Sequence, residues 1–159
     1  MRTLTISVLG SIPKELSPNW RPPITAQAWV GIRSRAITEF KNRVYLATVF
    51  ARNIWDHDHA QPWQPLEKAT LDVVVIKRGK SDDDNIRASL KHAVDMLTLP
   101  KPPRRKADSM GIGLTPGKAG ASIIKDDRPS CLTWGTVEQR RPCKGEWEPM
   151  IILTVRGEK

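Results

Sequence analysis

Cysteine is scarce in this chain of 159 residues, which has only Cys131 and Cys143. Two cysteines do not make a disulfide framework, and no second Cys or His pair stands at the spacing of a zinc site. In a reducing compartment we expect two free thiols, with a bridge between them as the alternative. His57 and His59 flank Asp58, but residues 56–65 read as a polar loop, so we expect no metal site there.

Long apolar runs are also lacking. The longest, at residues 73–76 and 150–153, have the length of strands and are far too short to span a membrane. The first nine residues alternate like a strand and lack the continuous apolar stretch of a signal peptide. Repeats and low-complexity tracts are absent as well, so we expect one domain over residues 1–159, in the cytoplasm and without a membrane partner.

Acidic residues are in the minority: 17 Asp and Glu stand against 26 Lys and Arg, which leaves a net charge of +9. Such an excess in a small domain suits a polyanionic partner, although basic character alone is weak evidence. The positions of the acids are more informative, because several of them form two short clusters. Asp82, Asp83 and Asp84 form one, and Asp126 and Asp127 form the other.

The order of apolar and polar residues predicts an α+β domain, with a mixed sheet of about four strands packed against two helices. We expect strands at residues 3–9 and 69–77, a long helix at residues 25–54, and a final pair of antiparallel neighbours at 132–138 and 150–155. Residues 100–122, rich in Pro, Gly and basic side chains, read as a long loop. Such a loop either grips a polyanion or is a solvated linker.

The second predicted helix has the clearest pattern. At about 100° per residue, one face is apolar and the opposite face carries Asp84, Lys91 and Asp95. Ser81, Asp82 or Asp84 can cap its start, and Pro100 ends it. The apolar face comprises Ile86, Leu90, Ala93, Val94 and Leu97.

The first acidic cluster follows a strand and opens this helix, and the second precedes another predicted strand. In a sheet whose strands run side by side, the two clusters can meet at the same end. Carboxylates that converge need a cation, and hard oxygen ligands select Mg²⁺ or Mn²⁺. In a basic protein, such a site suits phosphodiester cleavage, because the ion activates water and stabilises charge on the leaving oxygen. The alternative is a helix cap with extra acids.

The residues resemble a known family. The run Asp82-x-Asp84-Asn85, followed by Lys91, Asp95 and Leu97 and then by Asp126-Asp127, is similar to that of the RusA-type Holliday junction resolvases of bacteria and phages. The segment Leu16-Ser17-Pro18-Asn19-x-Arg21 resembles that family's opening. The resemblance covers most of the chain, and its specific part is the D-x-D-N core with the acids that follow. The interval from Asn85 to Lys91 is three residues longer than in the short form of the family's motif.

The resemblance implies that Asp82, Asp84 and Asp127 are the essential metal-binding carboxylates, and that Lys91 is the active-site lysine. For Lys91 an ordinary ion pair with Asp95 is the alternative. The resemblance further implies Asp126 as an additional metal ligand, with Asn85 and Asp95 in support. The expected DNA contacts are Asn19, Arg21, Lys80, Arg104, Arg105 and Lys106.

A resolvase of this kind is a homodimer that nicks four-way DNA junctions with Mg²⁺ in recombination and repair, one strand per subunit. A two-fold dimer suits a junction with two equivalent strands to cut. Two alternatives stay open: a non-catalytic basic DNA-binding module, and an endonuclease of the same fold that acts on another DNA structure. The acids favour the enzyme, since carboxylates near a DNA-binding surface repel phosphate unless they hold a metal.

Overall fold

The computed structural model describes residues 2–21, 25–79, 83–108, 111–115, 119–146 and 149–158. For residues 83, 104–108 and 111–115 it describes the backbone alone. The elements follow one another as β1 (Thr3–Leu9), α1 (Ala26–His59), β2 (Ala69–Ile76), α2 (Asp83–Leu97), β3 (Arg104–Asp108), β4 (Gly111–Thr115), β5 (Leu132–Arg140) and β6 (Met150–Gly157). Two long helices and a four-stranded mixed sheet confirm the predicted α+β class. No helix in the described ranges is long and apolar enough to cross a membrane.

One face of the main sheet and the two helices form a single core. In β1 every second side chain is buried, because successive side chains of a strand point to opposite faces. Phe40 and Val44 of α1 and the predicted apolar face of α2 are buried in the same core. The side chains that the sheet contributes are Leu4, Ile6, Val8, Ala69, Leu71, Val73, Val75, Leu132, Ile151, Leu153 and Val155.

The strand order is β1-β6-β2-β5, which corrects one expectation. The last two strands, β5 and β6, are not neighbours, because β2 lies between them. β2 pairs with β6 in antiparallel fashion and with β5 in parallel. Parallel pairing needs a long crossover, and the chain from β2 through α2 to β5 supplies it. Chain proximity alone had suggested a hairpin.

The first helix continues to His59, beyond the predicted end at residue 54. Its last turns are held by Trp55, which packs against the core, stacks on His59 and meets Trp63 edge-on. His59 Nδ1 lies 2.8 Å from the Trp55 carbonyl oxygen. The two histidines therefore lie on a helix end and not in a polar loop.

The segment predicted as a long loop, residues 100–122, contains two strands that were not predicted. β3 and β4 pair antiparallel in register from Arg104–Thr115 to Asp108–Gly111 and form a separate two-stranded sheet. The alternation of glycine with Ile112 and Leu114 is the strand signal that the surrounding Pro and Gly had hidden.

Both cysteines are free thiols, as expected.

Candidate nucleic-acid and metal site

The polar face of α2 forms one wall of the candidate site. Asp84 and Lys91 are exposed, and the seven-residue step between them places them within about 20° of each other around the helix. Ala88 lies between them on the same face. The buried side of the helix fixes its rotation, because Leu90 and Leu97 pack into the core. The sequence therefore determines which side chains α2 presents outward.

A buried segment after the β3–β4 hairpin positions the second acidic cluster. The backbone N–H of Ala121 donates to the Met96 carbonyl over 2.8 Å, and that of Ile123 donates to Leu97 over 2.9 Å. Ile124 forms a parallel bridge with Leu66, just before β2. These bonds fasten residues 121–124 to the end of α2 and direct the following pair, Asp126 and Asp127, along the helix.

A cavity of about 360 Å³ lies between α2 and the start of β5. Asp127 and Lys91 both line it, so the tertiary structure brings these two predicted site residues together. Arg87 and Trp134 also line it, and neither was predicted as a site residue. For Arg87 a signal existed, because it lies one turn from Lys91 on the same face. The described residues that line it are Arg87, Ala88, Lys91, Val94, Asp127, Leu132 and Trp134.

The route by which the acidic clusters approach each other differs from the prediction. The first cluster follows the end of β2 and the second precedes the start of β5. Since β2 and β5 are parallel and Ala69 pairs with Leu132, these points lie at opposite ends of the strand pair. The expectation of a common sheet end was wrong. Asp127 instead approaches the middle of α2, which runs back along the sheet.

Asp126 is already engaged within the protein. Its carboxylate lies 3.0 Å from Arg128 Nε and 3.5 Å from Lys101 Nζ, and it accepts the Asp127 backbone N–H at 2.9 Å. The pKa of Asp126 is lowered below its usual range, mainly by a hydrogen bond with the Asp127 side chain and next by the bond from the Asp127 backbone N–H. The positive charges of Lys101 and Arg128 lower it further. Asp126 thus shapes the turn that presents Asp127, whose own side chain is exposed.

The N-terminal loop meets the start of α2. Asn19 Nδ2 donates to Asn85 Oδ1 over 3.4 Å, which joins two predicted site residues. Arg21 is turned back on its own loop, where its guanidinium donates to the carbonyls of Pro18 and Trp20 at 3.0 and 3.1 Å. The loop that precedes α1 therefore borders the same end of α2 as Asp84.

Asp95 has a partner on the other helix. Lys41 Nζ of α1 lies 3.1 Å from Asp95 Oδ2, and the two side chains are 25% and 13% exposed. Within the described residues, Asp95 pairs with Lys41 and not with Lys91. The ion pair therefore ties the helices together and leaves Lys91 facing the cavity.

Several residues that the sequence predicts for the site lie outside the part of the chain that the structure describes. Lys80 and Asp82 are outside the described ranges, and the side chains of Arg104, Arg105 and Lys106 are not described, although their backbone forms β3. Among the described residues, no three His, Cys, Asp or Glu side chains come close enough to hold a metal ion. Asp84 and Asp127 provide hard oxygen ligands of the type that Mg²⁺ prefers. A metal site with three carboxylates would also need Asp82.

Comparison of the chain with models of known protein families, with curated proteins and with solved structures found no match.

Proposed function

We propose that this protein is a Mg²⁺-dependent endodeoxyribonuclease. The observation that carries the proposal is the cavity in which Asp127 lies beside Lys91 and Arg87, on the helix face that also bears Asp84. Carboxylates and cations at one cleft wall are the combination that phosphodiester hydrolysis needs. The carboxylates hold a cation, while the basic groups bind the substrate phosphates. The net charge of +9 favours a nucleic-acid substrate.

Each residue has a distinct role in this proposal. Asp82, Asp84 and Asp127 hold Mg²⁺ or Mn²⁺, which supplies the charge that activates water and stabilises the leaving oxygen. Lys91 and Arg87 donate to the phosphate that enters the cavity. Asp126 keeps Asp127 in position through Arg128 and Lys101, and Asn19 holds Asn85 at the start of α2.

We propose branched DNA, and the four-way junction in particular, as the substrate, with roles in recombination and repair in the cytoplasm. This step rests on the resemblance to the RusA-type resolvases. The second candidate is a DNA-binding module in which the aspartates only cap α2. Asp127 argues against it, because this exposed carboxylate belongs to the segment before β5 and therefore does not cap α2.

We propose that the active form is a homodimer joined through α1. Six of the seven exposed large hydrophobic side chains among the described residues belong to this helix. Leu46, Phe50 and Ile54 are 67%, 69% and 48% exposed and, at four-residue spacing, lie within about 80° of one another around the helix. Contiguous apolar surface of this kind marks an interaction site.

A second copy is the partner that this stripe fits. It is centred on Phe50, so a two-fold axis there sets Leu46 of one copy against Ile54 of the other.

The first experiment is cleavage of a labelled synthetic four-way junction, next to a linear duplex of the same sequence, in Mg²⁺ and in EDTA. We expect paired, metal-dependent nicks in the junction alone. Nicks in a different branched DNA would support the nuclease assignment but change the proposed substrate. Tight binding without cleavage in Mg²⁺ or Mn²⁺ would favour the binding module.

A further inference from the structure

A second, strongly basic cleft lies at the far end of the main sheet from residues 121–127. It has a volume of about 190 Å³ and lies where β2 and β5 both end. Among the lining residues that the structure describes, four of six are cationic and none is acidic. The lining comprises Lys77, Arg78, Gly79, Gln139, Arg140 and Arg141.

Strand pairing holds the two sides of the cleft together. Ile76 is the register partner of Arg140, and the Lys77 backbone N–H donates to the Arg140 carbonyl over 3.1 Å. The basic residues that follow β2 and those that end β5 are therefore fixed side by side. Neither stretch was predicted as part of a site, because the residues approach only through the parallel pairing of two distant strands.

Arg140 is held in place by an acid. Glu146 binds the Arg140 guanidinium through two bonds of 2.5 and 2.6 Å, and its carboxylate also accepts the Cys143 backbone N–H at 2.7 Å. Glu138 adds a weaker attraction to the same guanidinium. The bidentate pair orients Arg140, and its charge is largely balanced. Arg78 and Arg141 are exposed.

Gly79 also lines the cleft. A Cβ added to it would meet no atom of the described residues within 4 Å, so the backbone is open in that direction. Arginine presents a planar set of donors that matches phosphate oxygens, and it binds phosphate in bidentate fashion. Two exposed arginines around an open backbone therefore form a phosphate-binding surface.

We propose that this cleft binds the phosphodiester backbone of the DNA substrate, with Arg78 and Arg141 as the principal contacts. The inference rests on the proposed function, which supplies the ligand. Gly79 precedes Asp82 by three residues, a span of about 10 Å at most. A strand held in the cleft is therefore within a few nucleotides of the acidic cluster that opens α2.

The test measures DNA binding in EDTA, so that it does not depend on cleavage. A fluorescent DNA junction is titrated with the wild-type protein and with the double variant Arg78→Ala/Arg141→Ala over a range of salt concentrations. We expect binding of the variant to weaken about tenfold at low salt. The slope of log K against log salt should fall by about two, one for each lost phosphate contact.

A charge-matched control separates the cleft from the overall charge. Lys14→Ala/Lys68→Ala removes two exposed positive charges that lie outside the cleft. We expect this control to keep nearly the wild-type slope. If both double variants weaken binding equally, net charge accounts for the effect and the cleft proposal is overturned.

A second variant guards against a folding defect, because Arg78 has further contacts within the protein. The single change Arg141→Glu reverses one exposed charge, and its thermal unfolding is compared with that of the wild type. We expect a normal unfolding transition with weaker binding than Arg141→Ala. If Arg141→Glu binds DNA as tightly as the wild type, the cleft proposal is rejected, even if the wild type cleaves DNA. If binding depends on the cleft but no cleavage occurs, the nuclease proposal is rejected and the cleft proposal stands.

Discussion

Asp127 and Lys91 line the same cavity, although one precedes β5 and the other lies in the middle of α2. This arrangement depends on the segment of residues 121–124, which is hydrogen-bonded to the end of α2. Asp127 is exposed at this wall, whereas its neighbour Asp126 is engaged by Arg128 and Lys101. The two adjacent acids therefore have different surroundings and should respond differently to substitution.

Under the proposed function, Asp127→Asn should lower the cleavage rate by about 100-fold or more, because one of the proposed metal-binding carboxylates is lost. DNA binding should remain intact or become tighter, since a phosphate-repelling charge is gone. Asp82→Asn and Asp84→Asn should behave in the same way. Single-turnover cleavage and anisotropy binding in EDTA measure the two effects separately. Asp126→Asn is the matched control, and equal losses of cleavage at the two positions would contradict the assignment.

Phe50→Asp should convert the proposed dimer into a monomer, because it would bury an unpaired charge at the centre of the α1 stripe. Sedimentation velocity over a range of protein concentrations measures the association. Ser34→Asp introduces the same charge on α1 at about 160° from Phe50 and should leave the dimer unchanged. A wild-type protein that stays monomeric at high concentration would exclude this interface.

The Lys41–Asp95 ion pair should stabilise the protein modestly. Because the pair is only partly exposed, Lys41→Met and Asp95→Asn should each reduce the free energy of unfolding by about 1 kcal/mol. The double variant should lose less than the sum of the two single losses, which a double-mutant cycle by urea denaturation measures. Additive losses would mean that the two side chains do not interact. If Asp95→Asn cleaves DNA as fast as the wild type once the loss of folded protein is taken into account, the role of Asp95 is structural and not catalytic.

Gly120→Ala should destabilise the protein by about 2 kcal/mol, because the new Cβ would overlap the Thr98 carbonyl oxygen, which belongs to rigid backbone. The same change should reduce cleavage, since residue 120 begins the segment that positions Asp127. Gly31→Ala is the matched control. It lies on an open part of α1 with no atom within 4 Å of the added Cβ, and it should stabilise by about 0.5–1 kcal/mol. A neutral Gly120→Ala in thermal unfolding would contradict this packing.

The Arg140–Glu146 pair should persist in acid. Hydrogen bonds from the Arg140 side chain and then from the Cys143 backbone lower the pKa of Glu146 from 4.5 to about 2. Because the folded-state pKa is depressed, this stabilisation is fully present above about pH 4.5 and is lost as the pH falls towards 2. An NMR titration of the Glu146 carboxyl should show a midpoint near 2, and Arg140→Gln should return it towards 4.5. A normal midpoint in the wild type would show that the pair is not formed.

Much of the secondary structure followed from local patterns. The alternation in residues 3–9 predicted β1, and the apolar spacing from Ile86 to Leu97 predicted both the extent of α2 and its buried face. These predictions were confirmed because side-chain periodicity is a property of adjacent residues, and burial of one face follows from it. The same spacing placed Asp84 and Lys91 on one face of the helix.

The strand order and the approach of Asp127 were decided by the tertiary structure alone. β2 lies between β5 and β6 because the crossover through α2 makes β2 and β5 parallel, and no local pattern encodes that choice. Likewise, Asp95 pairs with Lys41 of another helix, although Lys91 stands at the favourable spacing on its own. Sequence determined the faces of the elements, since those depend on neighbours along the chain. Hydrogen bonds and ion pairs between distant segments determined which faces meet, because they form only when the whole core is assembled.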